Sequence, residues 1–418
     1  MPPRFTASCA AAGTPARVMM LLGSLSGGGA ERVAVNLMNR CDPLAVDLRL
    51  GLLRRVGPYL GDVDPCRIVA PKVARTGASG VLCAPADIAR MVRAVRPQVL
   101  MSFGMGINML TWLALGRLGR DRPAWICRED SNADAEIAEL TASRFGRGLV
   151  GAAMGHVYRD ADRLQSVSRD QAANLERRLA LPPGRVRVIY NPVDVAQIER
   201  SAAQLLAVAP ERPFIVTAGR LTFQKNHNLL IEAFAMSAAA RGMDLVILGE
   251  GPLEGDLRAR AAALGVSDRV RFAGFQANPW AWFSRARLFV HSSRWEGLPN
   301  VIAEALACGV PTLLPDCDFG PREQIVHGQS GWLVPPHDAG ALAGGLDTLL
   351  GDPDLAARLA AGGKARASDF DADVIAGAYT EFFLEMTGAS AGRAAPGRRA
   401  RPERWRSNVE AVPVPPAA

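Results

Sequence analysis

The sequence predicts an α/β protein built from two doubly wound halves, each a parallel sheet with helices on both faces. Short apolar runs alternate with helical patterns along the chain, which is the order of strand-helix-strand units. At 418 residues the chain is too long for one ordinary core, so two domains are the default. The alternation breaks once, at the Asn-Pro-Val-Asp of residues 191–194, which separates two series of strands.

Each series contains six predicted strands. Those of the first half lie at residues 17–22, 47–53, 98–103, 124–127, 164–167 and 186–190. Those of the second half lie at residues 214–218, 245–248, 270–272, 288–290, 312–314 and 331–334. These runs are short, apolar and bounded by turn residues, which is typical of strands buried inside a parallel sheet. A last amphipathic helix is predicted at residues 372–386.

These patterns divide the chain into six segments. They are an N-terminal extension (1–16), a first Rossmann-like domain (17–195), a linker (196–212), a second Rossmann-like domain (213–368), a helix (369–387) and a basic tail (388–418). The tail is rich in Arg, Pro, Ala and Gly and lacks the apolar content of a core, so it is predicted to be disordered. It is a candidate contact for an anionic membrane surface; a solvated extension without a role is the alternative.

Composition limits the class of protein. Hydrophobic residues make up 49% and charged residues 21%, as in ordinary globular proteins. The seven cysteines are scattered without a C-x-x-C pair, which favours a reducing, cytoplasmic compartment over disulfides or structural zinc. The longest uncharged stretch, residues 97–116, is interrupted by polar residues and is predicted to be a strand, a turn and a helix, not a membrane span. Apart from the tail the chain is nearly neutral, so nucleic acid is not predicted as a partner.

A pair of glutamates marks the first candidate site. Glu296 and Glu304 lie eight positions apart, the first in a predicted strand-to-helix loop and the second within the helix. Pro299 suits the first turn of that helix, because its missing N–H would be unpaired there. The helix N-terminus offers free N–H groups to an anion, and each carboxylate can bind a hydroxyl. The residues predicted to contact the anion are Gly297, Leu298, Pro299 and Asn300.

A second candidate site follows the strand at residues 214–218, where Gly219 and Arg220 begin a loop that reaches Lys225. Open α/β sheets bind ligands at such loops. Arginine offers a fork of donors to phosphate oxygens, and lysine a compact charge. Only three of the 48 basic residues are lysines, so a lysine here indicates a site that needs the compact ammonium group.

A glycine-rich loop follows the first strand. Gly28 and Gly29 allow a ligand to approach the backbone, and Glu31 and Arg32 open the next helix. The spacing does not match the G-x-G-x-x-G pattern of dinucleotide sites, so by itself the loop is weak evidence.

Taken together, the three segments resemble glycosyltransferase family 4, and the resemblance covers most of the chain and is strongest at residues 214–336. It implies the GT-B fold, with two domains facing an interdomain cleft and a C-terminal helix that crosses back to the first domain. It also implies a nucleotide-sugar donor whose diphosphate is bound by Arg220 and Lys225. Glu296 would hold the transferred sugar, Glu304 the ribose, and the glycine loop would face the cleft near donor and acceptor.

The same resemblance suggests a retaining transfer of a hexose or N-acetylhexosamine, with UDP as the favoured nucleotide, to a lipid-linked or growing glycan in cell-surface polysaccharide synthesis. The enzyme would then act in the cytoplasm, at the inner face of the membrane if peripherally bound. No cofactor or metal is expected, because no Asp-x-Asp motif lies where it could serve a diphosphate.

One departure from the family concerns the first domain. Many members carry a histidine close to the transferred sugar, but residues 125–132 contain none. Arg128 and Glu129 are the candidates in its place, and with Glu31 they form the predicted acceptor side of the cleft. Two alternatives to the transferase stay open at this point: a GT-B epimerase or phosphorylase, and a catalytically inactive scaffold of a polysaccharide assembly complex.

Overall fold

The computed structural model of the protein describes residues 14–391, except Ala74, Ala207 and Ala209. The predicted N-terminal extension therefore lies almost entirely outside the described residues. So does nearly all of the predicted basic tail, and its role in membrane binding stays a prediction.

The first domain is a parallel sheet of seven strands. They are β1 (Ala16–Leu22), β2 (Val46–Leu52), β3 (Ile68–Val69), β4 (Val99–Phe103), β5 (Ala124–Glu129), β6 (Arg163–Ser166) and β7 (Val186–Val188). Its helices are α1 (Gly29–Arg40), α2 (Gly77–Val95), α3 (Met105–Leu115), α4 (Ala133–Leu140), α5 (Arg144–Asp160) and α6 (Arg169–Leu179). The strand order is β3-β2-β1-β4-β5-β6-β7.

Helix α7 (Val195–Ala202) leads into the second domain, a parallel sheet of six strands. They are β8 (Phe214–Ala218), β9 (Asp244–Leu248), β10 (Val270–Gly274), β11 (Leu288–Val290), β12 (Thr312–Pro315) and β13 (Trp332–Val334), in the order β10-β9-β8-β11-β12-β13. Its helices are α8 (His227–Met236), α9 (Glu254–Ala263), α10 (Trp280–Phe283), α11 (Asn300–Ala307), α12 (Pro321–Gln324), α13 (Ala339–Gly351) and α14 (Pro353–Ala367).

Both sheets reverse their strand order beside the first strand of the domain, β1 or β8, which makes each a doubly wound sheet. Apolar clusters lie on the two faces of each sheet, so every central strand is buried on both sides. The predicted fold class is confirmed. The predicted strands all occur, with ends that differ by at most two residues.

The last helix, α15 (Ala372–Ala391), crosses back to the first domain as predicted. Tyr379, Phe382 and Phe383 join the apolar cluster formed by α1 and the face of β1, β2 and β4. This helix therefore completes the core of a domain to which it is not adjacent in sequence, and it ties the two domains together.

The sequence missed one strand, β3, which has only two residues and pairs with Leu50 and Gly51 of β2. It follows two short 3-10 helices (Pro58–Asp62 and Pro65–Arg67), and a two-residue run carries no periodicity to detect. Within the described part of the chain, no helix has the length and apolarity needed to cross a membrane.

Because the ring of Phe383 is fully buried against the first domain, Phe383→Ala should lower the free energy of unfolding by about 3–5 kcal/mol. Leu384 on the same helix is 42% exposed, so Leu384→Ala should cost less than about 1 kcal/mol. Denaturant titration followed by circular dichroism compares the two. Equal losses would show that α15 does not belong to the first-domain core.

Candidate active site

The predicted site loops come together where the carboxyl ends of the two parallel sheets face each other. The loop of residues 219–226 follows β8, and that of residues 291–299 follows the neighbouring strand β11. Backbone hydrogen bonds join them, with the Arg294 N–H donating to the Gln224 carbonyl at 2.8 Å. Adjacent strands thus bring side chains 71 residues apart in sequence into one cluster.

Glu296 is the centre of this cluster. Its Oε1 atom accepts from Lys225 Nζ at 2.5 Å and from Ser293 Oγ at 2.6 Å, and lies 2.9 Å from His291 Nε2. All three contacts end on Oε1. The other oxygen, Oε2, is therefore the atom left to accept from a substrate hydroxyl. Lys225 and Glu296 were predicted separately, as contacts of a diphosphate and of a sugar, and the structure adds that the two side chains are paired with each other.

Burial alone would raise the pKa of Glu296, but the Lys225 ammonium and the contact from His291 hold it well below the usual range. Glu296 is therefore a carboxylate at all physiological pH values. Burial also lowers the pKa of His291, in spite of its carboxylate neighbour. A neutral His291 with Nε2 protonated can donate to Glu296 without adding charge to the site.

Glu304 lies within α11, as predicted, and its Oε2 accepts from Trp280 Nε1 at 3.2 Å. Burial raises its pKa, and the positive charge of Arg32 from the first domain opposes that shift. The Arg32 guanidinium stacks 3.7 Å from the ring centre of Tyr59. Glu304 therefore faces the first domain, with hydrogen-bond donors on both sides of it.

Two close contacts join the N-terminus of α11 to the first domain. Asn300 Nδ2 donates to the Gly29 carbonyl at 3.0 Å, so the glycine loop and α11 face each other as predicted. A Cβ on Gly297 would lie 2.1 Å from the Asp130 carbonyl oxygen, so only glycine fits there. Leu298 is buried, and Pro299 immediately precedes α11 and is its N-cap residue. The free N–H groups of α11 thus face the gap between the domains.

Arg220 is exposed and lies across the gap from carboxylates of the first domain. Its positive charge opposes the rise in pKa that burial gives to Glu31 and Glu136. Glu31 also turns its carboxylate back over Gly28, the N-cap residue of α1. Cations of the second domain therefore meet acidic groups of the first, and Gly219 begins the loop that carries Arg220.

The structure corrects the placement of Arg128 and Glu129, which were predicted to line the cleft. Both side chains are buried in the first domain. Arg128 donates to Asn191 Oδ1 at 2.7 Å and to Tyr379, and so links β5 to the segment after β7 and to α15. Glu129 accepts from Tyr158, and burial raises its pKa well above the usual range. The reason is that β5 runs two residues past its predicted end, so two side chains expected in the loop after the strand lie in the strand itself and are buried.

A carboxylate of the second domain caps a helix of the first. Glu323, in the Gly-Pro-Arg-Glu segment, accepts from the backbone N–H groups of Arg169 at 2.9 Å and Asp170 at 3.0 Å. These are the first two residues of α6, where unpaired N–H groups favour an anion. Tyr190 OH donates to the same carboxylate at 3.1 Å. Glu323 is thus a clamp between the domains.

The residues that sequence reasoning missed are His291, Asp130 and Glu136. His291 is the residue directly after β11, and Asp130 directly follows β5, so both stand at the carboxyl edge of a sheet. That position is where open α/β folds place functional groups, and it was the available signal. Glu136 carries no such signal, since it is one charge on a helix. Glu323 lies in a segment, residues 320–325, that resembles a motif of the family, but the motif does not reveal its contact with α6.

With this geometry in place, two family models match the chain. The model described as Glycosyltransferase Family 4 matches residues 27–197, and that described as Glycosyl transferases group 1 matches residues 200–366. The fold and the site thus define a glycosyltransferase of the GT-B type. The chain belongs to glycosyltransferase family 4.

Similar proteins include bacterial enzymes of polysaccharide synthesis. The lipopolysaccharide core biosynthesis glycosyltransferase LpsD of Rhizobium meliloti is 27% identical over 357 residues, which are 85% of this chain and 95% of that protein. The N-acetylgalactosamine-N,N'-diacetylbacillosaminyl-diphospho-undecaprenol 4-alpha-N-acetylgalactosaminyltransferase of Campylobacter jejuni is 32% identical over 54% of this chain. That match covers 61% of the length of the Campylobacter protein. The match to another relative, the lipopolysaccharide core biosynthesis glycosyltransferase LpsE of Rhizobium meliloti, covers 57% of its length, so the chain spans only part of these two relatives.

Among solved structures, Anabaena Alr3699/HepE in complex with UDP-glucose superposes with a TM-score of 0.70. The match has 19% identity and covers 89% of this chain and 99% of that one. At this identity the similarity establishes the shared fold.

Loss of the interdomain clamp is a first test of the site. Glu323→Gln keeps the side-chain size but removes the charge and leaves one of the two N–H groups of α6 unpaired. We expect a loss of about 1–3 kcal/mol in the free energy of unfolding. Glu381→Gln, on the exposed face of α15, is the matched control and should change it by less than about 0.5 kcal/mol. Denaturant midpoints measure both, and equal values would refute the clamp.

His227 predicts how stability depends on pH. Burial, together with the charges of His291 and Lys225, lowers the pKa of His227 to about 4 from 6.5. Between those values the unfolded chain binds a proton that the folded chain does not, so stability falls as pH decreases from 6.5 to 4, by about 3 kcal/mol. His227→Leu should flatten this slope, whereas replacing the exposed His156 by Leu should not. Denaturation midpoints across pH 4–8 give the comparison, and an unchanged slope in His227→Leu would contradict it.

Proposed function

We propose that the protein is a retaining glycosyltransferase that moves a hexose or N-acetylhexosamine from a UDP-sugar to a lipid-linked or growing glycan. The observation that carries the proposal is the partly buried Lys225–Glu296 pair beside the N-terminus of α11. One place thus holds a cation, the backbone donors of a helix N-terminus and a carboxylate oxygen, Oε2, that accepts from none of the residues that the structure describes. A sugar diphosphate presents the matching groups, which are anionic oxygens and hydroxyls.

In this proposal the donor diphosphate lies between Arg220, Lys225 and the first N–H groups of α11. These groups stabilise the charge that develops on the diphosphate as the bond to the sugar C1 breaks. No metal is required in this scheme, because the protein supplies the positive charge. Glu296 is oriented by His291 and Ser293, so its Oε2 binds hydroxyls of the transferred sugar. Glu304 binds the ribose, and the glycine loop at Gly28 and Gly29 covers the diphosphate from the first domain.

The acceptor hydroxyl attacks C1 from the side on which the diphosphate leaves. The C1–oxygen bond to the diphosphate breaks, a bond from C1 to the acceptor oxygen forms, and the hydroxyl proton passes to the departing diphosphate. The anomeric configuration is retained without a covalent enzyme intermediate. This step needs a stabilised leaving group and a positioned sugar cation more than it needs a base.

The substrate assignment draws on relatives. The Campylobacter relative is named for transfer to a diphospho-undecaprenol-linked saccharide, and the Rhizobium relatives for lipopolysaccharide core synthesis. Anabaena HepE is described in complex with UDP and with UDP-glucose. These names support a nucleotide-sugar donor and a lipid-linked or polysaccharide acceptor. Action at the cytoplasmic side of the membrane is part of the proposal.

Three variants test the donor site. Lys225→Ala should lower kcat/KM by about two to three orders of magnitude, because it removes one preorganised stabiliser of developing charge. Glu296→Gln should lower kcat more than it raises KM. Glu304→Ala should mainly raise KM for the nucleotide-sugar, because ribose binding is the same in ground and transition states. Steady-state kinetics over a panel of UDP- and GDP-sugars, with circular dichroism as the folding control, provides the measurement.

Full activity in folded Lys225→Ala and Glu296→Gln would overturn the donor site. Lys364→Ala is the matched control: this lysine lies on α14, is paired with Glu199 at 3.0 Å and should not affect turnover. Incubation with UDP-sugars alone separates the alternatives. Epimerised sugar without an acceptor would indicate an epimerase, and no turnover with any donor and acceptor would indicate a scaffold.

A further inference from the structure

Helix α5 exposes apolar side chains where an ordinary surface helix exposes polar ones. Phe145 and Leu149, one turn apart, are 83% and 63% exposed. The opposite side of the helix is the buried one, with Met154 and Val157 packed in the first-domain core. Leu140, at the end of the preceding helix α4, is also largely exposed. Large apolar side chains clustered on a surface mark a contact with another molecule.

The charges on α5 beside Phe145 and Leu149 are positive, and the exposed Glu139 stands next to Leu140. Arg144 and Arg147 are exposed in the first turn of α5, and no acidic residue occurs between Glu139 and Asp160. Cations at a helix N-terminus lie at the unfavourable end of the helix dipole. The stability of α5 therefore does not explain them, whereas an anionic partner would.

A second exposed cluster lies at the beginning of α2, where Val81 and Leu82 are 59% and 80% exposed. The exposed Lys72 stands a few residues before the helix. Helices α2 and α5 pack on the same face of the seven-stranded sheet, with α3 contacting both. Each ends a few residues before its next strand, β4 or β6, so both begin at the carboxyl edge of the sheet. The glycine loop of residues 23–28 is at that same edge.

We propose that these helix ends form a docking surface for an anionic phospholipid membrane. We call this surface the basic apolar rim. It consists of Val81, Leu82, Leu140, Phe145 and Leu149, with the cations Lys72, Arg144 and Arg147.

A bilayer interface suits this surface on physical grounds. Apolar side chains enter the boundary between head groups and acyl chains, while arginines stay at the level of the anionic head groups. The inference rests on the proposed function, because a lipid-linked acceptor is held in such a bilayer. The rim and the cleft share one edge of the first domain, so docking would bring the cleft to the acceptor.

The test is vesicle flotation of the full chain. It uses vesicles of phosphatidylcholine alone and vesicles with about 30% phosphatidylglycerol, at low and high salt. We expect binding to the anionic vesicles that weakens with salt. The double variant Phe145→Ser, Leu149→Ser should lower the partition coefficient by at least about tenfold. The variant Arg144→Gln, Arg147→Gln should lower it about thirtyfold on anionic vesicles only, since each basic residue near the surface contributes about fivefold.

Leu44→Ser is the matched control. Leu44 is a strongly exposed leucine of the same domain that lies just before β2, at the opposite edge of the sheet. Its variant should bind vesicles as the unaltered chain does. A chain lacking residues 388–418 should still lose binding when Phe145 and Leu149 are replaced.

Three outcomes would overturn the inference. The first is no binding to anionic vesicles, and the second is binding that the rim variants leave intact but deletion of residues 388–418 abolishes. The third is a dimer in light scattering that the Phe145→Ser, Leu149→Ser variant dissociates, because a second copy would then cover the rim. Transfer to a water-soluble acceptor analogue is measured separately. The rim variants should retain it, so failure of docking is distinguishable from failure of the proposed transferase.

Discussion

The buried carboxylate of Glu296 is the constraint on which the site depends. A charge removed from water is costly unless it is paired and hydrogen-bonded. Contacts from Lys225, His291 and Ser293 offset that cost, and all three are made to Oε1 of Glu296. These partners come from two loops that neighbouring strands of the sheet hold in place. The second domain must therefore fold before the pair can exist, and Oε2 is left for a ligand.

The two domains depend on each other through polar contacts as well as through α15. Glu323 caps α6. Asn191, between β7 and α7, donates to the Leu298 carbonyl at 2.8 Å while accepting from Arg128. The same short segment that carries Glu323 also contacts the loop before α11, since Gln324 Nε2 donates to the Pro299 carbonyl. The position of the first domain is thus linked mechanically to the loop that bears Glu296.

Charge is divided between the two sides of the gap. The second domain contributes Arg220, Lys225 and a helix N-terminus, which favour an anion. The first contributes Glu31 and Asp130, and burial raises the pKa of both. In the proposed function, a diphosphate on the second domain would leave its neutral sugar facing carboxylates that can accept hydroxyl hydrogen bonds. This division matches a substrate with one anionic end and one polyhydroxylated end.

The sequence by itself determined the two doubly wound domains, the last amphipathic helix and the loops that carry Glu296, Glu304, Arg220 and Lys225. The return of that helix to the first domain was implied by the resemblance to the family. Strands, turns and loop motifs are each formed by residues that are close together in sequence, so their patterns can be recognised in the sequence alone. Only the tertiary structure decided which side chains meet. Glu323 and the N-terminus of α6 are 154 residues apart, and nothing in either segment refers to the other. The burial of Arg128 likewise depends on α15, which covers β5 only after the chain has returned to the first domain. The sequence does not show this burial, because packing between segments that are distant in sequence leaves no periodic pattern in either of them.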